Sequence, residues 1–306
     1  MKIKQILGAI LLSLAVATPV AADNADKMDT VVVTIKPLAM LVKAVAGEQQ
    51  RVEVLLPGSV SPHDYALKLS DVRAVKHAAL VVWVGPELET ALGKVLSGET
   101  PERVISLAAL DGMHWPASGE AEPEESHGHH EHAHERDPHL WLNPQNGLLA
   151  ARAIAARLSE LFPHRKTEIM DNLRVFTRSL NDFDRQALRR LTPLQDQGFV
   201  VTHDGYRHFV QHYQLRQLAS VQLAGGRHRG ARHYAELLAL GEQVACVLTE
   251  VQLNNKGAEQ LADKLGAKTR RLDTMGQQIA LGQSGYLAFM GRIVDTFAEC
   301  LTADPE

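Results

Sequence analysis

The chain has 306 residues, of which 45% are hydrophobic and 22% are charged, and its formal net charge is −4. This is the composition of a globular protein, and the length predicts about two domains. No stripe of basic residues occurs along the sequence, so the composition argues against nucleic acid as a partner.

The first predicted element is an export signal. Lys2 and Lys4 precede an apolar run from about residue 6 to residue 20, and small residues follow up to Ala22. Because the run is short and ends in small residues, it predicts a secretory signal peptide over residues 1–22, cleaved near Ala22, rather than a membrane anchor. The mature chain is therefore expected outside the cytoplasm, with no direct insertion into the membrane.

Strand and helix patterns alternate in the part that follows, which we assign to an N-terminal lobe over residues 23–162. Apolar runs predict strands at Val31–Ile35, Arg51–Leu56, Leu80–Val84 and Val104–Ile105. The stretches between them read as helices. Continuous apolar strands between helices favour a parallel sheet that is covered on both faces.

A long helix over residues 163–192 is predicted to connect this lobe to a second one over residues 193–306. Apolar side chains recur from Ile169 to Ala187 at spacings of four and three, which places them on one helical face. The stripe fits a rigid connector, although ordinary core packing would also explain it. Further strands are predicted near Gly198–Val201, Leu215–Val221, Val244–Thr249 and Lys268–Leu272. The predicted fold class is α/β, with two parallel-sheet lobes joined by a long rigid helix.

An acidic, histidine-rich loop at about residues 113–136 interrupts the first lobe. Five of the 15 histidines fall within eight residues there, namely His127, His129, His130, His132 and His134. Neutral imidazole suits zinc, copper and nickel, and a packed core could not provide partners for so many rings. We therefore predict a solvated loop that binds metal weakly. The alternative is a polar linker whose histidines are accidental.

Side chains that can bind metals also follow predicted strands in both lobes. His63 and His139 lie in the first lobe, and His203 and Asp273 lie in the second. Parallel α/β sheets bind ligands beyond the carboxyl ends of their strands, so we expect these groups to meet in the cleft between the lobes. Three imidazoles and one oxygen suit tetrahedral zinc. Any one of these residues alone would more often be a structural loop residue.

The only two cysteines, Cys246 and Cys300, are expected to form a disulfide. The export signal directs the chain to a compartment where thiols can be oxidised. Two buried thiols are the alternative. A bond between them would contribute roughly 4 kcal/mol by restricting the unfolded chain.

Several short motifs occur in order from about residue 31 to residue 301. They are Ile35-Lys36-Pro37-Leu38, Pro62-His63-Asp64-Tyr65, Val82-Trp83-Val84-Gly85-Pro86-Glu87, Asp137-Pro138-His139-Leu140-Trp141-Leu142, His203-Asp204 and Leu272-Asp273. With these motifs the chain resembles the ZnuA-type periplasmic zinc-binding receptors of ABC importers, within a wider family of zinc and manganese receptors. The resemblance implies the same two-lobed fold.

The resemblance also implies roles for individual residues. His63, His139 and His203 look like the three imidazole ligands of Zn²⁺, and the fourth ligand is either Asp273 or a water. Some relatives use a Glu just before the first His, where this chain has Pro62. The remaining implications are a disulfide between Cys246 and Cys300, and support roles without metal ligation for Tyr65, Trp83 and Glu250.

The function implied is capture of zinc in the periplasm by a monomeric receptor that delivers it to the membrane permease of an ABC zinc importer. A manganese or iron receptor is one alternative, but manganese receptors typically have a carboxylate where this chain has His203, and harder ions prefer oxygen. A secreted zinc hydrolase is another, because three imidazoles and a water can serve catalysis. Neither an HExxH helix nor a clear general base is present, so we predict no enzymatic activity.

Overall fold

The computed structural model describes residues 29–117, 136–222 and 230–303. The strands are β1 (Val31–Val33), β2 (Val52–Val54), β3 (Leu80–Trp83), β4 (Val104–Ser106), β5 (Gly198–His203), β6 (Arg216–Gln222), β7 (Val244–Glu250) and β8 (Lys268–Leu272). The helices are α1 (Lys36–Ala46), α2 (Leu69–His77), α3 (Thr90–Leu96), α4 (Pro144–Leu161), α5 (Lys166–Leu191), α6 (Arg207–His212), α7 (Ala231–Ala239), α8 (Lys256–Leu265) and α9 (Gly285–Leu301). The predicted signal peptide and the five clustered histidines lie outside the described residues.

Each lobe contains a four-stranded sheet, with strand order β2-β1-β3-β4 in the first and β6-β5-β7-β8 in the second. All neighbouring strands run parallel. The central strands β1 and β3 are apolar and buried along their length, as expected where helices cover both faces. In each sheet the second strand along the chain lies on one side of the first strand, and the third and fourth strands lie on the other side. Parallel α/β sheets have a crevice at the carboxyl ends of the two central strands where the order changes sides. The predicted α/β fold class is confirmed.

The connecting helix α5 has 26 residues and is therefore roughly 39 Å long. Its buried positions are Ile169, Phe176, Leu180, Ala187 and Leu191. These spacings of seven and four form one stripe, which packs against α1, α4 and α9. The helix that the apolar periodicity predicts is present. Its apolar stripe packs in the hydrophobic core, and the helix also connects the two lobes.

The C-terminal helix α9 holds the two lobes together. It packs on α1 of the first lobe and on β7 and β8 of the second, and one continuous hydrophobic core extends through these elements. A disulfide between Cys246 of β7 and Cys300 of α9 attaches the helix to the second sheet. The predicted pairing is confirmed, and the alternative of two buried thiols is wrong. Within the described ranges, no helix is both long enough and apolar enough to cross a membrane.

Candidate metal site

Three histidine side chains from the two lobes meet in the cleft. His63 lies in a short helical turn after β2, His139 directly precedes the turn Leu140–Leu142, and His203 is the last residue of β5. One ring nitrogen of each lies within 4.8 Å of the other two. The Nε2 atoms of His63 and His139 are 3.3 Å apart. Two nitrogens bound to one tetrahedral zinc would be separated by about 3.3 Å, so this pair already has the spacing of two zinc ligands.

His139 is held by the carboxylate of Asp137. The Oδ1 atom of Asp137 accepts hydrogen bonds from the backbone N–H of His139 at 3.0 Å and from its ring Nδ1 at 2.6 Å. Burial favours the neutral acid, but the charge and hydrogen bonds of His139 outweigh it and hold the pKa of Asp137 well below its usual value. With its hydrogen on Nδ1, the ring presents the lone pair of Nε2 to the cleft.

His203 has a corresponding partner in Glu250, the last residue of β7. Its Nδ1 atom lies 2.8 Å from Oε2 of Glu250, a short electrostatic contact between buried groups. The same carboxylate accepts hydrogen bonds from the hydroxyls of Tyr206 at 2.6 Å and Thr274 at 2.9 Å. Burial opposes ionisation, yet His203 and the hydroxyl of Tyr206 lower the pKa of Glu250 to about 2. The support role implied for Glu250 therefore has a clear structural basis.

The charge of Glu250 also affects the pKa of His203. Burial alone would lower the pKa of this imidazole, but the nearby carboxylate outweighs burial and raises it. For His63 the balance is the opposite, because burial and the neighbouring rings of His139 and His203 lower its pKa to about 4. In the described part of the chain, His63 makes no ion pair with a carboxylate.

Asp273 is not brought together with the three imidazoles. It directly follows β8, and its Oδ1 accepts hydrogen bonds from Gln252 at 3.2 Å and from the backbone N–H of Met275 at 3.3 Å. Its Oδ2 accepts from the backbone N–H of Gln278 at 3.4 Å. The cluster of potential ligand atoms contains His63, His139 and His203 but not Asp273. Asp273 as the fourth ligand remains a prediction.

The other residues with expected support roles lie elsewhere. The hydroxyl of Tyr65 donates to Asp71 in the first turn of α2, at 2.9 Å. Trp83 ends the buried strand β3. The sequence analysis included Asp137 in a motif but gave it no role, although a carboxylate two residues before a candidate ligand His is a usable local signal.

The space between the rings is small and is lined in part by apolar side chains. Its volume is about 10 Å³, which is room for one water-sized occupant. Its walls include Pro62, Trp141, Leu253 and Met275. The indole N–H of Trp141 in the first lobe donates to the carbonyl of Thr274 in the second lobe at 2.9 Å. This hydrogen bond connects the two lobes at the edge of the cavity. A cavity of this size suits a single ion.

Two parallel α/β lobes around a buried set of donor atoms define a two-lobed binding protein. The sequence model of the family described as "Zinc-uptake complex component A periplasmic" matches residues 31–300. The chain therefore belongs to this family, ZnuA.

Relatives and solved structures agree with this family. The chain is 33% identical over 288 residues to the high-affinity zinc uptake system protein ZnuA of Yersinia pestis, which covers 89% of this chain and 91% of that one. It is 32% identical over 313 residues to the protein of the same name from Haemophilus ducreyi, with coverages of 95% and 98%. Its fold is similar to that of the periplasmic zinc binding protein TroA from Treponema pallidum, with a TM-score of 0.74 and 22% identity over 90% of this chain and 99% of that one.

Proposed function

We propose that this protein is a high-affinity zinc receptor of the periplasm, which binds Zn²⁺ through His63, His139 and His203 and delivers it to the permease of an ABC importer. The observation that carries the proposal is the convergence of three imidazole nitrogens within 4.8 Å of one another in a cavity between the lobes. Two relatives that are 33% and 32% identical to this chain are named high-affinity zinc uptake system proteins. Their names support zinc as the bound ion and zinc uptake as the role.

The chemistry of the donors favours zinc over harder ions. Imidazole nitrogen suits zinc, whereas manganese prefers carboxylate and water oxygens. Asp137 and Glu250 add two ionised carboxylates beside the rings without entering the cluster of ligand atoms. The Oδ2 atom of Asp137 is buried without a hydrogen bond to any described residue. A buried carboxylate oxygen without a hydrogen-bond donor is stabilised by a nearby cation, so the residues present fit a dication.

The fourth ligand is proposed to be a water or Asp273. In the present arrangement both carboxylate oxygens of Asp273 accept backbone N–H groups of the loop that follows β8. Ligation by Asp273 would require that loop to rearrange, whereas a water needs only the open position. Competing enzymatic chemistry is not expected, because the buried carboxylates of Asp137 and Glu250 are engaged with the rings of His139 and His203.

The remaining parts of the proposal concern the chain outside the metal cluster. Residues 1–22 are the signal peptide, and the mature receptor consists of lobes at residues 23–162 and 193–306 joined at residues 163–192. The receptor acts as a monomer. The histidine-rich loop binds additional zinc weakly, because its imidazoles differ in spacing along the sequence and offer several near-equal binding modes rather than one closed site.

The proposal is tested by competition titration of the mature protein with a zinc chelator of known affinity. One tight site is expected, and His63→Ala, His139→Ala and His203→Ala should each weaken it. His77→Ala removes an exposed imidazole at the end of α2 and serves as the matched control. Wild-type affinity in all three ligand variants would refute the site.

The histidine-rich loop requires a separate experiment. Deletion of residues 119–135 should remove weak zinc binding in calorimetry and leave the tight event intact. The weak binding should decline below about pH 6.5, as free imidazoles take up protons. Loss of the tight event in the deletion variant would mean that the loop supplies ligands to the main site.

A further inference from the structure

We infer that His208, on helix α6 of the second lobe, is a positioning residue for the ligand His139 in the first lobe. His208 does not touch the metal cavity. It holds the backbone of Asp137, whose carboxylate orients the His139 ring. The inference rests on the proposed function, because it assumes that His139 binds the metal.

The first step is the orientation of the Asn146 amide on α4. Its Oδ1 accepts the backbone N–H of His114 at 2.8 Å, and its Nδ2 donates to the backbone carbonyl of the same residue at 2.9 Å. These two hydrogen bonds fix which end of the amide is oxygen and which is nitrogen. The Nδ2 group therefore faces Nδ1 of His208, at 3.4 Å.

The second step is the tautomer of His208. Because an amide nitrogen can only donate, Nδ1 of His208 is the acceptor and the ring hydrogen is on Nε2. That nitrogen lies 2.8 Å from the backbone carbonyl of Asp137, which can only accept. The ring is almost fully buried, and burial lowers its pKa. His208 is thus a neutral imidazole that donates one hydrogen bond across the cleft.

The third step is the dependence of Asp137 on this contact. Its carboxylate binds both the backbone and the ring of His139 through Oδ1 alone. Among the described residues nothing donates to Oδ2, so no further hydrogen bond orients the carboxylate. The position of the carboxylate then follows from the position of the backbone, and His208 fixes that backbone from the opposite lobe.

The segment around α6 therefore supports two ligands. It begins just after the ligand His203, and Tyr206 in between donates to Glu250, the partner of His203. His208, on the first turn of α6, then reaches Asp137, the partner of His139. Separation of the lobes would remove the support of His139 together with the metal cavity itself.

The test uses two substitutions in the full mature protein. His208→Phe keeps a ring of similar size and removes the donor, whereas His208→Gln keeps a terminal N–H near the position of Nε2. Loss of a hydrogen-bonding partner behind a metal ligand typically weakens affinity by 10- to 100-fold. We expect His208→Phe to weaken zinc binding about tenfold in competition titration, and His208→Gln to restore most of the loss. His208→Leu replaces the Phe variant if the latter does not fold.

A double-mutant cycle separates positioning from general damage to the fold. If His208 acts through His139, then His208→Phe should cause no further loss of affinity in a His139→Ala background. The same fold-loss in both backgrounds would overturn the inference. Wild-type affinity of His208→Phe, with His139→Ala strongly impaired, would overturn the inference and leave the proposed function intact. Wild-type affinity of His139→Ala would instead refute the proposed ligand set and the inference with it.

Discussion

The three imidazoles of the cleft are held in two different ways. His139 and His203 each contact a buried carboxylate, at 2.6 Å and 2.8 Å. His63 sits on a turn, is less buried, and lacks such a partner within the described residues. A carboxylate behind an imidazole fixes its tautomer and raises its basicity. The comparison indicates that two of the proposed ligands are preorganised, and we expect the third to complete the site.

The largest expected effect is loss of a preorganised ligand. His203→Ala removes one imidazole and leaves Glu250 buried beside an empty space, so both zinc affinity and metal-free stability should fall. We expect at least about 30-fold weaker zinc binding, or about 2 kcal/mol. His63→Ala should weaken zinc similarly but change the metal-free melting temperature less. Competition titration and calorimetry measure both quantities, and equal destabilisation by the two variants would contradict the comparison.

Loss of a supporting carboxylate should have the next largest effect on zinc affinity. Asp137→Asn and Glu250→Gln retain the size of each side chain but remove its charge. Zinc affinity should fall by 10- to 100-fold in each case, which is typical for partners of metal-bound histidines. Glu87→Gln, outside the three-imidazole cluster, is a control with the same chemical change. If both variants bound zinc as tightly as the wild type, the ligands would not be preorganised by their carboxylates.

The pH dependence of zinc affinity should further distinguish His203 from His63. Zinc binds the deprotonated ring, and the pKa of His203 is raised because Glu250 outweighs the effect of burial. Apparent affinity should therefore fall as pH drops below this raised pKa, by about tenfold per pH unit for one competing proton. His63, with a pKa of about 4 through burial and its neighbouring rings, should not contribute in that range.

The Glu250→Gln variant identifies the group responsible. Without the carboxylate, the pKa of His203 should drop, and the decline in affinity should begin at lower pH. The stabilisation that this pair gives to the metal-free protein has the corresponding sign: it is complete below the usual pKa of 6.5 and is lost as pH rises through the raised value. An unchanged titration midpoint in the variant would exclude His203 as the competing group.

The smallest expected effect belongs to Asp273. Asp273→Ala should weaken zinc only modestly, because a water can occupy the fourth position. Manganese should be affected more, since it prefers oxygen ligands. Parallel titrations with the two metals measure the difference. Negligible effects on both would place Asp273 outside the coordination sphere.

These differences among ligands show what sequence patterns can and cannot predict. The positions of His63 beyond β2 and of His203 at the end of β5 were predictable, since the apolar runs of parallel strands are local signals. His139 is separated from β4 by more than 30 residues, so its position could not be predicted from a strand pattern. The support of His203 by Glu250 depends on β5 lying beside β7, which no local pattern encodes.

The position of Asp273 illustrates the same limit. Its strand β8 is at the edge of the sheet, two strands away from β5 and therefore roughly 10 Å from it. Whether such a residue reaches the cavity depends on the loop that follows the strand. The contact between His208 and Asp137 joins residues separated by 71 positions in different lobes, so it follows only from the folded arrangement.

The central claim is that three imidazoles from both lobes bind one zinc ion. X-ray absorption at the zinc edge tests it most directly, on protein lacking residues 119–135 and loaded with one equivalent of zinc. The account predicts three imidazole nitrogens at about 2.0 to 2.1 Å with one additional oxygen, and one imidazole fewer in His63→Ala. A wild-type spectrum with two or more carboxylate ligands, or the same imidazole count in His63→Ala, would contradict it.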